Sequence, residues 1–369
     1  MPNKGVCCWD LEGPISIIDF AAEIGKLLGE KSELNLRKYN MSDFFTMISN
    51  YDDYIIDEPG VKEKLNIPDY QPGDTLRLMA PLYLACYTDK ELMNLAKEDL
   101  GLLPGCRELM KILHKNWDIF VISTSYSHFA YTVTASLGIP KDHVYCTDFN
   151  IKKVKRELKN IEDEVGILLN TIFQKYLTNS KHLNSVIEDL NDFFWKEKET
   201  DYTRAMNLVK VRGGKRKEYA VEEISRRTDT SISQMVALGD SITDINMLQR
   251  LSEEGGIAIS FNGNRFSLKR ANIAVTTINS LGVLPIFNFR SELEEFLFTW
   301  ESKFENFRNN PEKITEGLIS SATKELFIKH NFVPELVDLK GKTETEYSEI
   351  IIKQEKMRKE VRGWAGSLG

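Results

Sequence analysis

The chain has 369 residues, of which 42% are hydrophobic and 28% are charged. This composition is typical of folded globular domains and excludes a disordered or collagen-like chain. The 55 acidic residues outnumber the 48 basic ones, so the net charge is -7, and we expect no nucleic acid as a partner. The sequence has no apolar run of about 18 residues, so we also expect no membrane insertion.

The cysteines indicate the redox environment. The chain has 5 of them, an odd number, and Cys7 and Cys8 are adjacent in an apolar run. We therefore expect reduced, partly buried thiols and a cytoplasmic protein, an interpretation that the absence of a signal-peptide pattern also favours. The sequence contains no Cys-x-x-Cys or His-Glu-x-x-His pattern, which disfavours a zinc site.

Short apolar runs alternate with helical patterns, which is typical of an α/β fold with a parallel sheet. Four runs are predicted strands: residues 6–9, 119–122, 235–238 and 257–261. The first three lead directly into the polar residues Asp10, Ser123 and Gly239-Asp240. Because ligands bind at the carboxyl edge of such sheets, we expect these polar residues to converge there.

Three regions between and after the strands have helical patterning. Residues 15–99 and 152–209 are predicted helical insertions, and residues 154–172 are predicted as one continuous helix. Residues 291–369 are a predicted helical tail. Its last helix, over residues 343–362, is expected to bury an apolar face: Tyr347, Ile350, Ile351, Met357 and Val361. We expect the tail to pack on the body or on a second subunit, which leaves open a homo-oligomer or a docking partner bound through these helices.

Carboxylates and hydroxyls follow the first two strands. In Asp10-Leu11-Glu12-Gly13, a carboxylate at a strand tip can attack an electrophile. The second carboxylate is then placed to transfer protons. Ser123 and Thr124 offer hydroxyl and N–H groups that suit phosphate oxygens. Taken singly, each pattern is equally typical of a solvated turn or a helix cap.

The next two clusters add positive charge and a second pair of carboxylates. Residues 210–217 contain five basic residues, one of which could neutralise a phosphoryl group; a solvated basic turn is the alternative. Asp240 and Asp244 lie at a strand end and a helix start, a spacing that suits Mg²⁺ with its preference for oxygen ligands.

In this order, the four clusters resemble the haloacid dehalogenase superfamily, and within it the phosphoserine phosphatase branch. The resemblance implies a Rossmannoid parallel sheet with a helical type-1 cap, a second helical insertion and the helical tail. The implied core is residues 1–14, 100–151 and 210–290, the cap is residues 15–99, the second insertion is residues 152–209, and the extension is residues 291–369.

The resemblance also implies a role for each motif residue. Asp10 is the implied nucleophile and Glu12 the general acid/base, and both contribute to the metal site. Ser123, Thr124 and Lys217 are implied phosphate ligands, and Asp240 and Asp244 hold Mg²⁺. Lys217 is preferred over Lys215 because it lies 23 residues ahead of Asp240, where that branch places its lysine.

Two departures bear on substrate and acceptor. The family commonly has Asp at the position of Glu12 and Thr or Val at the position of Pro14. With Glu12 in this motif, transfer of the phosphate to an acceptor other than water is an alternative to hydrolysis. Asp19 matches the acid that grips the substrate amino group, whereas the cap arginine has no clear match and Arg77 lies one turn away.

We therefore predict a magnesium-dependent phosphatase with an aspartyl-phosphate intermediate, acting on a small phosphorylated substrate. The alternative is an accessory or regulatory subunit with little activity. A weaker resemblance to an archaeal energy-converting hydrogenase subunit points to that second function.

Overall fold

The computed structural model describes residues 4–31, 33–149, 151–159, 161–196 and 200–367. These residues form one sheet with strands β1 (Gly5–Trp9), β2 (Trp117–Tyr126), β3 (Val144–Thr147), β4 (Val236–Gly239), β5 (Ile257–Phe261), β6 (Ile273–Thr276) and β7 (Glu335–Asp338). The strand order is β3-β2-β1-β4-β5-β6-β7. The pairs are parallel except β6 with β7, which is antiparallel. The predicted α/β class is confirmed.

The central strands β1 and β4 consist of small and apolar residues that are buried on both faces, as parallel strands covered by helices require. All four predicted strands are present. Strand β2 runs four residues beyond its predicted end and shifts register between Ile122 and Tyr126, so the predicted polar turn at Ser123 belongs to the strand. Strands β3, β6 and β7, of four residues each, were not predicted.

The first insertion forms a helical layer over the carboxyl edge of the sheet. Its α-helices are α1 (Phe20–Leu27), α2 (Met41–Asp57), α3 (Val61–Lys64), α4 (Thr75–Cys86) and α5 (Asp89–Glu98). Asp19 begins α1 by accepting a hydrogen bond from the Ala22 N–H at 2.9 Å. Phe45 and Ser49 of α2 and Thr75 of α4 line a cavity at the sheet edge. The helical layer therefore covers the edge of the sheet at which the predicted polar residues lie.

The core helices after this layer are α6 (Cys106–Leu113) and α7 (Ser127–Ser136). The second insertion contains α8 (Ile151–Glu157), α9 (Ile161–Gly166), α10 (Gln174–Thr178), α11 (Ile187–Asn191) and α12 (Asp201–Asn207), with π-helical segments at Ile167–Phe173 and Asp192–Lys196. The single helix predicted over residues 154–172 is therefore wrong, since α8 and α9 are separate helices and a π-helical segment follows α9.

The second insertion supports the first one. The Tyr202 hydroxyl donates a hydrogen bond to the Leu78 carbonyl of α4 at 2.7 Å, and Trp195 Nε1 donates to the Tyr51 hydroxyl of α2 at 2.9 Å. No described residue of the second insertion lines the cavity at the sheet edge. It therefore holds α2 and α4 in place and does not itself close the cavity.

The remaining helices of the core are α13 (Lys215–Thr228), α14 (Ile245–Glu253), α15 (Arg265–Leu268) and α16 (Leu284–Asn288), and the C-terminal extension contains α17 (Leu293–Phe307), α18 (Ser321–His330) and α19 (Glu344–Arg362). The extension is mostly helical as predicted, but it also contributes β7 to the sheet. Ile350 of α19 packs with Leu268 and Ala274 of the core. The extension thus packs on the body of its own chain. Among the described residues, no helix is both long and apolar enough to cross a membrane.

The buried face of α19 differs from the predicted one. Its buried residues are Ile350, Gln354 and Arg358, and the Arg362 side chain is 5% exposed. Spaced four apart, these residues share one face of the helix. Three of the four are polar, and this face points towards the polar edge of the sheet.

Candidate active site

Asp10 lies at the junction of β1 and β4. Its N–H donates to the Leu238 carbonyl at 2.9 Å, which extends the pairing of the two central strands by one residue. The carboxylate is 4% exposed, and its Oδ1 accepts hydrogen bonds from the Leu11 N–H and from Lys217 Nζ, each at 2.8 Å. The sheet therefore holds this side chain at its carboxyl edge, as the sequence predicted.

Asp240 and Asp244 belong to one tight turn after β4. Asp244 Oδ2 accepts from the N–H groups of Asp240 at 2.9 Å and Ser241 at 3.1 Å. Gly239 is required beside this turn, since a Cβ there would lie 2.5 Å from the Asp244 Cβ. Asp244 thus orients the loop that carries Asp240.

Lys217 joins the two halves of the site. It lies in the first turn of α13 and is fully buried. Its Nζ donates to Asp10 Oδ1 at 2.8 Å and to Asp244 Oδ1 at 2.7 Å. Burial lowers the pKa of Lys217, but these two ion pairs raise it above its usual range. The lysine therefore remains charged at physiological pH. Lys215, the alternative considered from sequence, is exposed.

Two arginines that the sequence analysis did not identify complete the site. Arg358 and Arg362, both on α19, each donate through Nη1 to Asp240 Oδ2, the latter at 2.8 Å. Arg358 also donates to the Asp240 carbonyl at 3.0 Å. Their side chains are 4% and 5% exposed. The C-terminal helix therefore reaches the carboxylate that the family resemblance assigns to the metal.

The carboxylates outnumber the cations at this edge. Asp10, Glu12, Asp19, Asp240 and Asp244 face Lys217, Arg358 and Arg362, so full ionisation leaves a formal excess of two negative charges. Burial, together with repulsion from Asp244, raises the pKa of Asp10 to about 8. Desolvation and the neighbouring Asp19 raise the pKa of Glu12 to about 8 as well. Additional positive charge would be strongly favoured here.

The cavity at this edge has a volume of ≈ 80 Å³. Its lining includes Asp10, Glu12, Asp19, Thr124 and Asp240 from the predicted set, together with Arg358 and Arg362. Sites for drug-sized ligands usually have volumes of about 300–1,000 Å³. This cavity therefore has room for a group of about phosphate size, and a larger substrate would require α2, α4 or α19 to move.

The hydroxyl residues of β2 are placed unequally. Thr124 lines the cavity and donates through Oγ1 to the Arg212 carbonyl at 3.2 Å. Ser123 is fully buried behind it, and its Oγ accepts from the Ser125 N–H at 3.1 Å. Both lie in the last residues of β2 and not in a turn after it.

The structure does not bring Arg77 to this cavity. Its guanidinium donates to Asn207 Oδ1 at 2.5 Å and lies 3.6 Å from the Asp74 carboxylate. It lines a separate cavity of ≈ 650 Å³. Arg77 follows Leu76, which does line the first cavity, and helical geometry turns the two side chains in different directions. Arg77 is therefore unsuited to the substrate role considered for it.

The donor set fits a magnesium ion. Asp10, Asp240 and Asp244 each present an oxygen within 4.8 Å of the others, and all three side chains are buried. Carboxylate oxygens are the ligands that Mg²⁺ prefers. Among the described residues, Asp240 Oδ1 and Asp10 Oδ2 accept no hydrogen bond, so these two aspartates each retain an oxygen for a cation. Both oxygens of Asp244 accept hydrogen bonds.

Comparison with known proteins places part of the chain in a family. Residues 105–287 match the haloacid dehalogenase-like hydrolase family, a range that includes Lys217 and Asp240, whereas Asp10 precedes it and joins the site through β1. The segment that matches belongs to this family, and the sheet gives the chain the α/β fold that the resemblance implies. No curated protein matches the sequence significantly.

Solved structures of similar fold include a gene product of Archaeoglobus fulgidus, with 22% identity and a TM-score of 0.70 over 100% of this chain and 99% of that one. At this identity the similarity concerns the fold alone. A substrate-bound phosphoserine phosphatase has 13% identity and a TM-score of 0.47 over 77% of this chain and 98% of that one. A phosphoaspartyl intermediate analogue of phosphoserine phosphatase has 13% identity and a TM-score of 0.46, covering 76% and 98%.

Proposed function

We propose that the protein is a magnesium-dependent phosphomonoesterase that forms an aspartyl-phosphate on Asp10. The observation that carries this proposal is the position of Lys217, a buried cation bonded both to Asp10 and to Asp244 beside Asp240. An anionic nucleophile approaches an anionic phosphate only where positive charge is concentrated. Lys217 and the two arginines provide part of this positive charge, and the aspartates are ligands for a divalent cation that would provide the rest.

In the proposed reaction, an Asp10 carboxylate oxygen attacks the phosphorus of the substrate and forms an acyl phosphate, and the bond to the leaving oxygen breaks. Lys217 and the Thr124 hydroxyl are the proposed ligands of the transferred phosphoryl oxygens, with Ser123 supporting the end of β2. Mg²⁺, held by Asp10, Asp240 and the Glu12 backbone, with Asp244 as the orienting partner, would offset negative charge in the transition state.

Glu12 is the proposed proton donor and acceptor. Its Oε1 accepts from the Phe20 N–H at 3.1 Å, which fixes the longer glutamate side chain at the cavity wall. Burial and the neighbouring Asp19 raise the pKa of Glu12 and favour the protonated carboxyl that a general acid requires. Burial raises the pKa of Asp10, but Lys217 lowers it, and a bound divalent cation would lower it further, which favours the ionised carboxylate that a nucleophile requires. Glu12 would protonate the leaving oxygen, and the resulting carboxylate would deprotonate the water or other acceptor that releases phosphate from Asp10.

The small cavity favours a small phosphorylated metabolite, with residues 15–99 as the cap over it. Asp19 lies beside Glu12 and is a proposed contact for a cationic or hydroxyl group of that substrate. Either water or a second small molecule would accept the phosphate.

The test is the hydrolysis of p-nitrophenyl phosphate and a panel of small phosphomonoesters, with and without Mg²⁺. We expect metal-dependent turnover that Asp10→Asn abolishes, while the exposed Asp163→Asn control retains it. Turnover unaffected by Asp10→Asn would contradict the proposal. Absence of turnover from the whole panel, in a folded protein that binds Mg²⁺, would favour the accessory-subunit alternative.

A further inference from the structure

The C-terminal helix α19 is fixed against the sheet edge by polar contacts as well as by packing. Gln354 is fully buried, and its Oε1 accepts from the Gly263 N–H at 2.7 Å and from Ser260 Oγ at 3.1 Å. Its Nε2 donates to the Ser260 carbonyl at 3.2 Å. Since buried polar groups are costly unless paired, these bonds define the position of the helix. The two arginines one and two turns later are thereby held at a fixed place in the site.

Arg358 and Arg362 differ in whether their guanidinium N–H groups are already used in hydrogen bonds to the protein. Arg358 is committed to the protein, because it donates to the Asp240 carboxylate, to the Asp240 carbonyl and to the Gly366 carbonyl. Arg362 donates through Nε to the Ile17 carbonyl at 3.3 Å and through Nη1 to Asp240. Among the described residues, Arg362 Nη2 donates no hydrogen bond. The Arg362 guanidinium, nearly buried at the cavity wall, therefore retains N–H groups at Nη2 that can donate to a ligand.

Resting on the function proposed above, we propose that Arg362 binds an anionic oxygen of the substrate. The C-terminal extension would then supply a cationic ligand at a cavity that no lysine or arginine among the described residues of the cap lines. The phosphoryl group is the anion of suitable size, because the cavity has room for little more. Guanidinium groups bind phosphate oxygens through directed N–H bonds and remain charged when buried. Arg358 positions Asp240 and does not contact the substrate.

The test is direct binding of inorganic phosphate, measured by calorimetry in saturating Mg²⁺. Arg362→Gln preserves much of the side-chain length and removes the charge, so we expect at least a tenfold loss of phosphate affinity, equivalent to about 1.4 kcal/mol. Arg362→Lys should fall between the wild type and the glutamine variant. Lys359→Gln, a charge removal on the exposed side of the same helix, should bind phosphate as the wild type does.

Titration of each variant with Mg²⁺ alone separates anion binding from damage to the metal site. We expect Arg362→Gln to bind Mg²⁺ at least as tightly as the wild type, because a cation next to Asp240 has been removed. Unchanged phosphate affinity, or Mg²⁺ and phosphate affinities that fall together, would overturn the proposal. Because phosphate binding needs no turnover, these outcomes are distinguishable from a failure of the Asp10 mechanism, which the hydrolysis assay tests.

Discussion

Lys217→Met removes the cation between two buried carboxylates while leaving a side chain of similar length. At distances of 2.8 and 2.7 Å, each ion pair has a Coulomb energy of about 6 kcal/mol at an effective dielectric constant of ~20. Desolvation offsets much of this attraction, and losing one partner of a buried pair usually costs about 3–5 kcal/mol. We therefore expect the free energy of unfolding to fall by about that amount in metal-free buffer.

This loss can be converted into a melting temperature. An unfolding entropy of about 2.1 cal/mol/K per residue gives roughly 0.8 kcal/mol/K for this chain, so the melting temperature should fall by about 4–6 °C. Calorimetry in EDTA is the assay, with the exposed Lys215→Met as the matched control. Excess Mg²⁺ should reduce the difference, because a divalent ion between the same carboxylates supplies the missing charge. A variant that melts with the wild type in EDTA would refute the reasoning.

Two further predictions concern Gly13, which lies against Asp240, and Asp52, which lines the cavity. Gly13 has φ +109°, and a Cβ there would lie 2.2 Å from Asp240 Oδ2. Gly13→Ala should therefore displace that carboxylate and weaken Mg²⁺ binding in a titration, whereas Gly60→Ala, at φ +81° with open space around it, should leave Mg²⁺ affinity unchanged. Equal Mg²⁺ affinity in the two variants would count against the assignment of Asp240. Burial and the neighbouring Asp53 raise the pKa of Asp52 to about 7, so the folded state binds the extra proton and stability decreases as pH rises from about 4 to 7. Asp52→Asn should remove this pH dependence. In EDTA, the free energy of unfolding of the variant minus that of the wild type should therefore increase between pH 4 and pH 8, by at most about 4 kcal/mol. A difference that does not increase with pH would contradict the raised pKa of Asp52.

Much of the site could be predicted because its residues follow strands. Asp10 and Asp240 come directly after the two central strands, whose apolar runs are unmistakable, and parallel pairing places their ends together. Lys217 was chosen on its spacing from Asp240, and its burial between two carboxylates agrees with that choice. These positions depend on local sequence and on a regular sheet.

Arg358 and Arg362 could not be found in the same way. In an amphipathic helix, the polar residues are expected to face solvent, and the apolar residues of α19 predicted a different buried face. The repeat of Ile350, Gln354, Arg358 and Arg362 at intervals of four was the available signal, but a polar stripe is a core face only when tertiary structure provides its partners. Asp240 is more than 110 residues away along the chain.

The most direct test of the central claim is to find phosphate on Asp10 itself. The protein should be mixed with a substrate from the phosphomonoester panel in Mg²⁺, quenched in acid after a fraction of a turnover, digested and analysed by mass spectrometry. The account predicts a phosphorylated peptide that contains Asp10, is absent without Mg²⁺, and is lost in Asp10→Asn. Hydrolysis that proceeds with no phosphate on Asp10, or with phosphate on another residue, would contradict it.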